Sequence, residues 1–191
     1  MATLLMTPAY LKRHGLVDEN VDAGYITPVI ELCQDTFIQE IVGTGIFAEL
    51  KTQIAANSLT SLNRTLLDDK LLPAMRWWVM AKLVKPITYK YSNTGIKQVE
   101  SDNYFTPSRD ELNALEEEYY NRAEYYADAA ARYLIENSTS YPLYDNPGDG
   151  VDIVHPNRHQ FKSAIFLGGR KGKLSNDYMD VDRGDRWEVC K

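Results

Sequence analysis

SRDELNALEEEYYNRAEYYADAAARYLIEN, residues 108–137, is a helix with its start and its buried stripe written into it. Ser108 and Glu111 stand at the spacing of a capping box, in which each side chain satisfies the other's exposed backbone N–H. Leu112, Leu115, Tyr119, Ala123, Tyr126, Ala130 and Leu134 then recur at steps of three and four, which puts them on one face. At 1.5 Å per residue the segment is about 45 Å long, whereas a compact chain of this length is only about 40 Å across. The helix therefore spans the body, and other elements pack along it. Its remaining face is acidic, with eight Asp or Glu against three Arg.

Upstream, Thr27-Pro28 reads as an N-cap followed by proline at the first helical position, where the missing N–H costs nothing. Val29, Ile30, Cys33, Phe37 and Ile41 continue that helix until Gly43 and Gly45 stop it. A shorter helix over 46–56 is closed by Asn57-Ser58. A long helix over 61–91 carries Leu62, Leu66, Leu67, Leu71, Met75, Trp78, Val79, Leu83 and Val84. Pro73 predicts a kink or break within it and Pro86 a second disturbance. Asn93-Thr94-Gly95 marks a turn in the loop leading to Thr106-Pro107.

The two ends differ from this helical body. Residues 1–25 are punctuated by Pro8, Gly15 and Gly24 and read as a mostly extended arm, with room for one helical turn ending at Gly15. After Asn137, STSYPLYDNPGDG is a turn-rich linker, and no later segment has helical period. Residues 153–176 hold five basic side chains and no acidic one, and FKSAIFLGG within them reads as one short strand. The expected organisation is all-α: an N-terminal arm (1–25), a helical domain (26–140) and a C-terminal extended interaction arm (141–191).

Composition narrows the function classes. The 191 residues are 44% apolar and 25% charged with a net charge of −6, typical of one globular domain with a core large enough to fold without disulfides. Cys33 and Cys190 are isolated residues, not a framework. The negative balance argues against a body that wraps DNA, since such binding rests on neutralising phosphates. No stretch approaches the ~20 apolar residues of a membrane span. Lys12 and Arg13 follow the short N-terminal apolar patch, the wrong order for a secretion signal, so a cytosolic product is expected.

Several half-motifs fail on spacing or context. Gly168-Gly169-Arg170-Lys171-Gly172-Lys173 has one residue too few for a phosphate loop and Leu174 where a hydroxyl is needed. Asp180, Asp182, Gly184 and Asp185 resemble the start of a calcium loop, but the glycine is one position early and Lys191 replaces the closing glutamate. His155 and His159 have a zinc-like spacing with Pro156 between them and no further ligand nearby. Arg183-Gly184-Asp185 is a three-letter coincidence with an adhesion tripeptide. No nucleophile, base and acid come together, so we expect no catalytic residue, cofactor or metal. Thirteen tyrosines are more than a helical core of this size needs, and tyrosine is favoured at protein interfaces. Trp77, Tyr120, Tyr125 and Tyr133 are the candidate body interface, with Trp78 facing the core.

The succession ITPVIELCQDTFIQEIVGTGIFAEL, LLDDKLLPAMRWWVMAKLVKPITYKYSNTGI, ARYLIENSTSYPLY and FKSAIFLGG resembles the head-to-tail connector, or adaptor, proteins of tailed bacteriophages. It is most similar to the neck ring proteins of crAss-like phages of gut Bacteroides, over roughly residues 25–170. The resemblance implies a small antiparallel helical bundle, assembled in about twelve copies as a closed ring. That ring would be a virion component built in the host cytoplasm, docked between the portal protein and neighbouring neck or tail rings. DNA would pass through its lumen without sequence-specific binding. An acidic helix suits such a lumen, because like charge disfavours phosphate contact. The chain departs from the simpler adaptors in running more than 50 residues past its last helix.

In that arm Phe161, Ile165, Phe166 and Leu167 would anchor a strand on a neighbour, while Arg158, Lys162, Arg170 and Lys171 steer it toward an acidic surface. The rival expectation is a small helical regulatory or binding module with a basic nucleic-acid- or protein-binding tail. Deleting residues 150–191 is expected to leave a folded monomer that no longer assembles, read by circular dichroism and light scattering. Rings from the truncated chain, or loss of its helical signal, would refute the assignment of the arm.

Overall fold

The computed structural model describes residues 3–93, 95–98, 107–150 and 152–156. The chain divides into two units, 1–160 and 161–191, and the second lies outside the described residues. The expected strand FKSAIFLGG therefore also lies outside them.

The first unit is mostly helical. Its elements are α1 (Pro8–His14), α2 (Ala23–Cys33), a π-helical turn (Gln34–Ile38), α3 (Gln39–Ala55), α4 (Ser61–Thr65), a second π segment (Leu66–Leu71), α5 (Leu72–Thr88), strands β1 (Tyr89–Ser92) and β2 (Gly95–Gln98), α6 (Arg109–Glu136), a 3₁₀ turn (Ser138–Ser140) and α7 (Pro142–Asp145).

The capped helix over 108–137 forms as its sequence dictates. In α6 the Ser108 hydroxyl accepts from the Glu111 N–H, and the Glu111 carboxylate accepts from the Ser108 N–H at 2.8 Å. Leu112, Ala123, Ala130 and Leu134 are buried along it. Leu115 is instead 37% exposed.

The segment 1–25 is not a free arm. Leu5, Met6 and Leu11 are buried in the core, and α1 begins at a Thr-Pro pair of its own, the Thr7 hydroxyl accepting from the Tyr10 N–H. Buried Gln34 pins the segment before α1: its Oε1 accepts from the Leu5 N–H at 3.1 Å and its Nε2 donates to the Thr3 carbonyl at 3.3 Å. The Thr27-Pro28 start is likewise displaced. Asp22 caps α2, accepting from the Gly24 N–H at 2.8 Å, and the helix runs through Pro28. Proline is tolerated there because it and Gly24, whose carbonyl loses a partner, both face solvent.

The two expected breaks are found with their own geometry. Gly43 adopts φ 77 and ψ 163 inside α3, a conformation essentially reserved for glycine. At Pro73 the break is absorbed one turn earlier, by the wider π winding of Leu66–Leu71, in which the Leu72 N–H reaches back five residues to the Leu67 carbonyl. Pro86 stays inside α5. Strands β1 and β2 pair antiparallel, Tyr89 with Gln98 and Ser92 with Gly95, where a loop was expected.

The helical body also runs past 140. Tyr141 and Tyr144 are buried, and the Tyr141 hydroxyl donates to the Leu62 carbonyl at 3.0 Å. Residues 152–156 are fastened to the α3 kink: the Thr44 N–H donates to the Val154 carbonyl at 3.0 Å, and the Val154 N–H donates to Thr44 Oγ1 at 2.9 Å. The arm expected from 141 is thus packed on the body at Tyr141, Tyr144, Pro147 and Pro156, while Gly148, Asp149, Gly150 and Asp152 between them are exposed.

A Cβ at position 43 would lie 2.8 Å from Pro156 Cδ. Gly43→Ala combines this clash with a forbidden φ, and is expected to destabilise the chain by about 2 kcal/mol in urea unfolding. An unchanged midpoint would show that the kink is not constrained.

Candidate interaction groove

The surface is built around α5, which is buried on nearly every side by Leu72, Ala74, Met75, Trp78, Val79, Met80, Ala81 and Leu83. Its longest contact is with α6. Two aromatic groups flank that contact. On one side Phe37 stacks on Trp78 with ring centroids 4.7 Å apart and meets the edge of Tyr120 at 5.9 Å. The π turn carrying Phe37 aims it there.

On the same side Glu116 of α6 takes two lysines of α5, Lys82 at 3.1 Å and Lys85 at 2.5 Å. The Lys85 hydrogen bond, with Lys82 beside it, holds the Glu116 carboxyl below the usual carboxylate range against the opposing effect of burial. These ion pairs tie α6 to the C-terminal part of α5.

On the other side lies an open groove of about 530 Å³, lined by Trp77, Glu118, Asn121, Arg122, Tyr125 and Tyr126. Trp77 leans on Tyr119 at 5.6 Å, and the Arg122 guanidinium lies over the Trp77 ring at 4.8 Å. Glu118, one turn earlier on α6, holds Arg122 in an ion pair. Arg76 approaches the same ring at 5.3 Å. Tyr125 stands 67% exposed, edge-on to Tyr126 at 5.4 Å. Asp110, Glu117 and Asp128 are exposed on the same helix; Glu117, Asn121, Tyr125 and Asp128 follow one another at steps of four, four and three, so the two carboxylates continue at either end the row in which Asn121 and Tyr125 line the groove.

Of the four body residues expected at an interface, Trp77 and Tyr125 are brought together here. Tyr120 packs against Phe37 on the opposite flank. Tyr133 sits at the far end of α6, against Tyr141 at 6.1 Å and beneath Lys70 at 5.0 Å. Arg122 and Tyr126 complete the groove and were not singled out from sequence. The i, i+4 relation of Glu118 and Arg122, with Tyr125 and Tyr126 a turn beyond, is the signal that points to them. The arm residues Arg158, Phe161, Lys162, Ile165, Phe166, Leu167, Arg170 and Lys171 lie outside the described residues.

Among the described residues, no three His, Cys, Asp or Glu side chains gather as a metal site, and no helix is long and apolar enough to cross a membrane. Cys33 is buried, and that burial pushes its thiol up to about 12. His14 stacks on Tyr10 at 4.3 Å, and its carbonyl accepts from Arg76.

Residues 38–153 match a family of unknown function, DUF6712, and the chain belongs to that family. The matched region runs from the end of the first π turn through α6 and α7 to the segment fastened at Gly43. No curated protein and no solved structure matches the chain.

Glu116→Gln is expected to lower stability by about 1 kcal/mol at neutral pH, the range of a partly exposed ion pair. Because the folded-state pKa of Glu116 is depressed, its contribution is present above the unfolded-state value and is lost as the pH falls through the folded-state one. Melting temperatures of the two proteins should therefore converge in acid. A gap that persists there would assign the effect to packing instead of charge.

Proposed function

We propose that this chain is a structural subunit of a tailed-phage head-to-tail connector. In this reading about twelve copies close a ring between the portal protein and the next neck or tail ring, with the helices as a small antiparallel bundle. The ring's lumen continues the DNA channel for genome retention and ejection. The particle is the virion, assembled in the bacterial cytoplasm.

The observation that carries the reading is the open groove against α6, with Trp77, Arg122 and Tyr125 on its walls. Tryptophan, arginine and tyrosine are the side chains that dominate binding energy at protein interfaces. In a cyclic ring the groove would meet an unlike patch of the neighbouring subunit, since such contacts are heterologous. The sequence resemblance to phage adaptors supplies the biological setting.

Light scattering behind a sizing column, over a concentration series, tests the reading. A closed species of about ten or more subunits is expected, either alone or on added portal protein. Tyr125→Ala, at a site too exposed to matter for folding, is expected to weaken that association at least about tenfold. A chain that stays monomeric or dimeric with and without portal, and binds duplex DNA in a salt-sensitive way, would overturn the proposal in favour of a regulatory module.

A further inference from the structure

Two guanidiniums approach the Trp77 ring that forms one wall of the groove, and each is held there by a group of its own. Arg122, 4.8 Å from the ring, is paired with Glu118. Arg76, 5.3 Å from it, has no carboxylate partner among the described residues; its Nη1 donates to the His14 carbonyl at 2.9 Å. His14 is the last residue of α1. We propose that the N-terminal segment is a regulatory clasp of the groove: the Trp77 wall is set only while α1 is seated, and Arg76 is the positioning residue that couples the two. The inference rests on the reading of the groove as the docking surface of a self-assembling subunit, and it names what makes that surface competent.

The anchor has the right chemistry. A helix leaves its last carbonyls without intrahelical partners, and the partial negative charge at that end favours a cation. Lys12, the nearer cation in sequence, donates to the Glu19 carbonyl instead. A planar guanidinium can bond a carbonyl and still lie against an aromatic ring. Arg76 Nε is buried with no acceptor, so the bond to His14 is what fixes this side chain. Trp77 Nε1 also finds no acceptor, so the ring takes its orientation from what packs on it: Tyr119, Arg122 and Arg76. With α1 displaced, a half-buried cation beside a second guanidinium loses its acceptor and turns to water. Trp77 then loses one of the groups that hold it.

The segment is fastened at three separate points. Gln34 holds Thr3 and Leu5, Arg76 holds His14, and the Met80 sulfur accepts from the Leu16 N–H at 3.5 Å. Arg76 and Met80 are one turn apart on α5, so residues 14–16 lie along a single face of that helix, next to the position of Trp77. Local opening concentrates at chain ends. Opening this one releases Arg76 in the same event. Seating of α1 and docking at the groove therefore favour each other, as two linked equilibria must.

The test uses the full chain labelled with fluorotryptophan and read by fluorine NMR, with Trp77→Phe identifying the groove's resonance among the three tryptophans. Gly15→Ala unseats the end of α1 without touching the groove, since a Cβ there would stand 2.6 Å from the Leu11 carbonyl oxygen and 3.4 Å from the Met80 sulfur. Faster hydrogen exchange over residues 3–16 shows that the segment has opened; Gln34→Ala, which removes the bonds to Thr3 and Leu5, replaces Gly15→Ala if it has not. The opened chain is expected to move the Trp77 resonance as Arg76→Ala does. In an Arg76→Ala background the opening is expected to move it no further, because both act through one link. A resonance that stays in place while exchange rises, or two shifts that simply add, would overturn the proposal. Light scattering separates this claim from the connector reading, the opened chain being expected to associate about fivefold more weakly. Association unchanged by opening removes the clasp and leaves the connector standing. A wild-type chain that never associates removes the connector, while the coupling is still decided by the resonance of the monomer.

Discussion

The body depends on the burial of one helix. α5 is apolar on almost every side, and a helix of that kind is stable only when other elements enclose it. Each neighbouring element covers a different side of it. α6 lies along the longest side, α2 along another, and the short α1 region covers Met80, whose sulfur lies 3.5 Å from the Leu16 N–H. Met6 and Leu11 are fully buried for the same reason. Without the N-terminal segment, part of α5 would face water.

Enclosing a straight helix with a single chain requires the chain to change direction without losing backbone hydrogen bonds. Here this is done by local distortions more than by loops. Gly43 turns α3 within what is otherwise continuous helix. The two π segments widen the winding, one placing Gln34 and Phe37 inward and the other absorbing Pro73. Ahead of the second, buried Asn63 donates to Glu49 at 2.8 Å and to Gln53 at 3.0 Å, so that the last turns of α3 are joined to the start of α4. These polar pairs allow a tight corner to be buried, since each donor finds an acceptor.

How much of this was legible follows from what each signal encodes. The capping box of α6 is local chemistry, four residues wide, and it reads directly. So does Gly43, and the turn signal Asn93-Thr94-Gly95 falls between the two paired strands. Thr27-Pro28 misled because the same pair of residues serves a helix start only when nothing upstream caps earlier, and Asp22 does. The N-terminal residues gave no period because a short segment held by Gln34 side-chain hydrogen bonds needs none. The periodicity of α5 marked one face, while Leu72, Ala74, Met80 and Ala81 occupy the others. A helix buried all round differs from an amphipathic one in its partners, which a pattern of apolar positions does not contain. Trp77 and Tyr125 could be read as surface aromatics, but their meeting in one groove is a fact of how α5 lies on α6.

The carboxylates of α6 show how one helix can serve both fold and surface. Glu111 is held by the cap, where hydrogen bonds from Ser108 lower its pKa. Glu116 is paired with two lysines of α5 and ties the helices together. Glu118 positions Arg122 over Trp77 and so shapes the groove. Asp110, Glu117, Asp128 and Glu136 remain exposed on the helix. A surplus of like charge that the fold does not neutralise lowers stability through self-repulsion, and an opposite charge arriving from elsewhere removes that cost. The basic stretch of residues 157–173 has the opposite sign, so the charge surplus of α6 is offset within the chain's own composition and not within the helix that carries it.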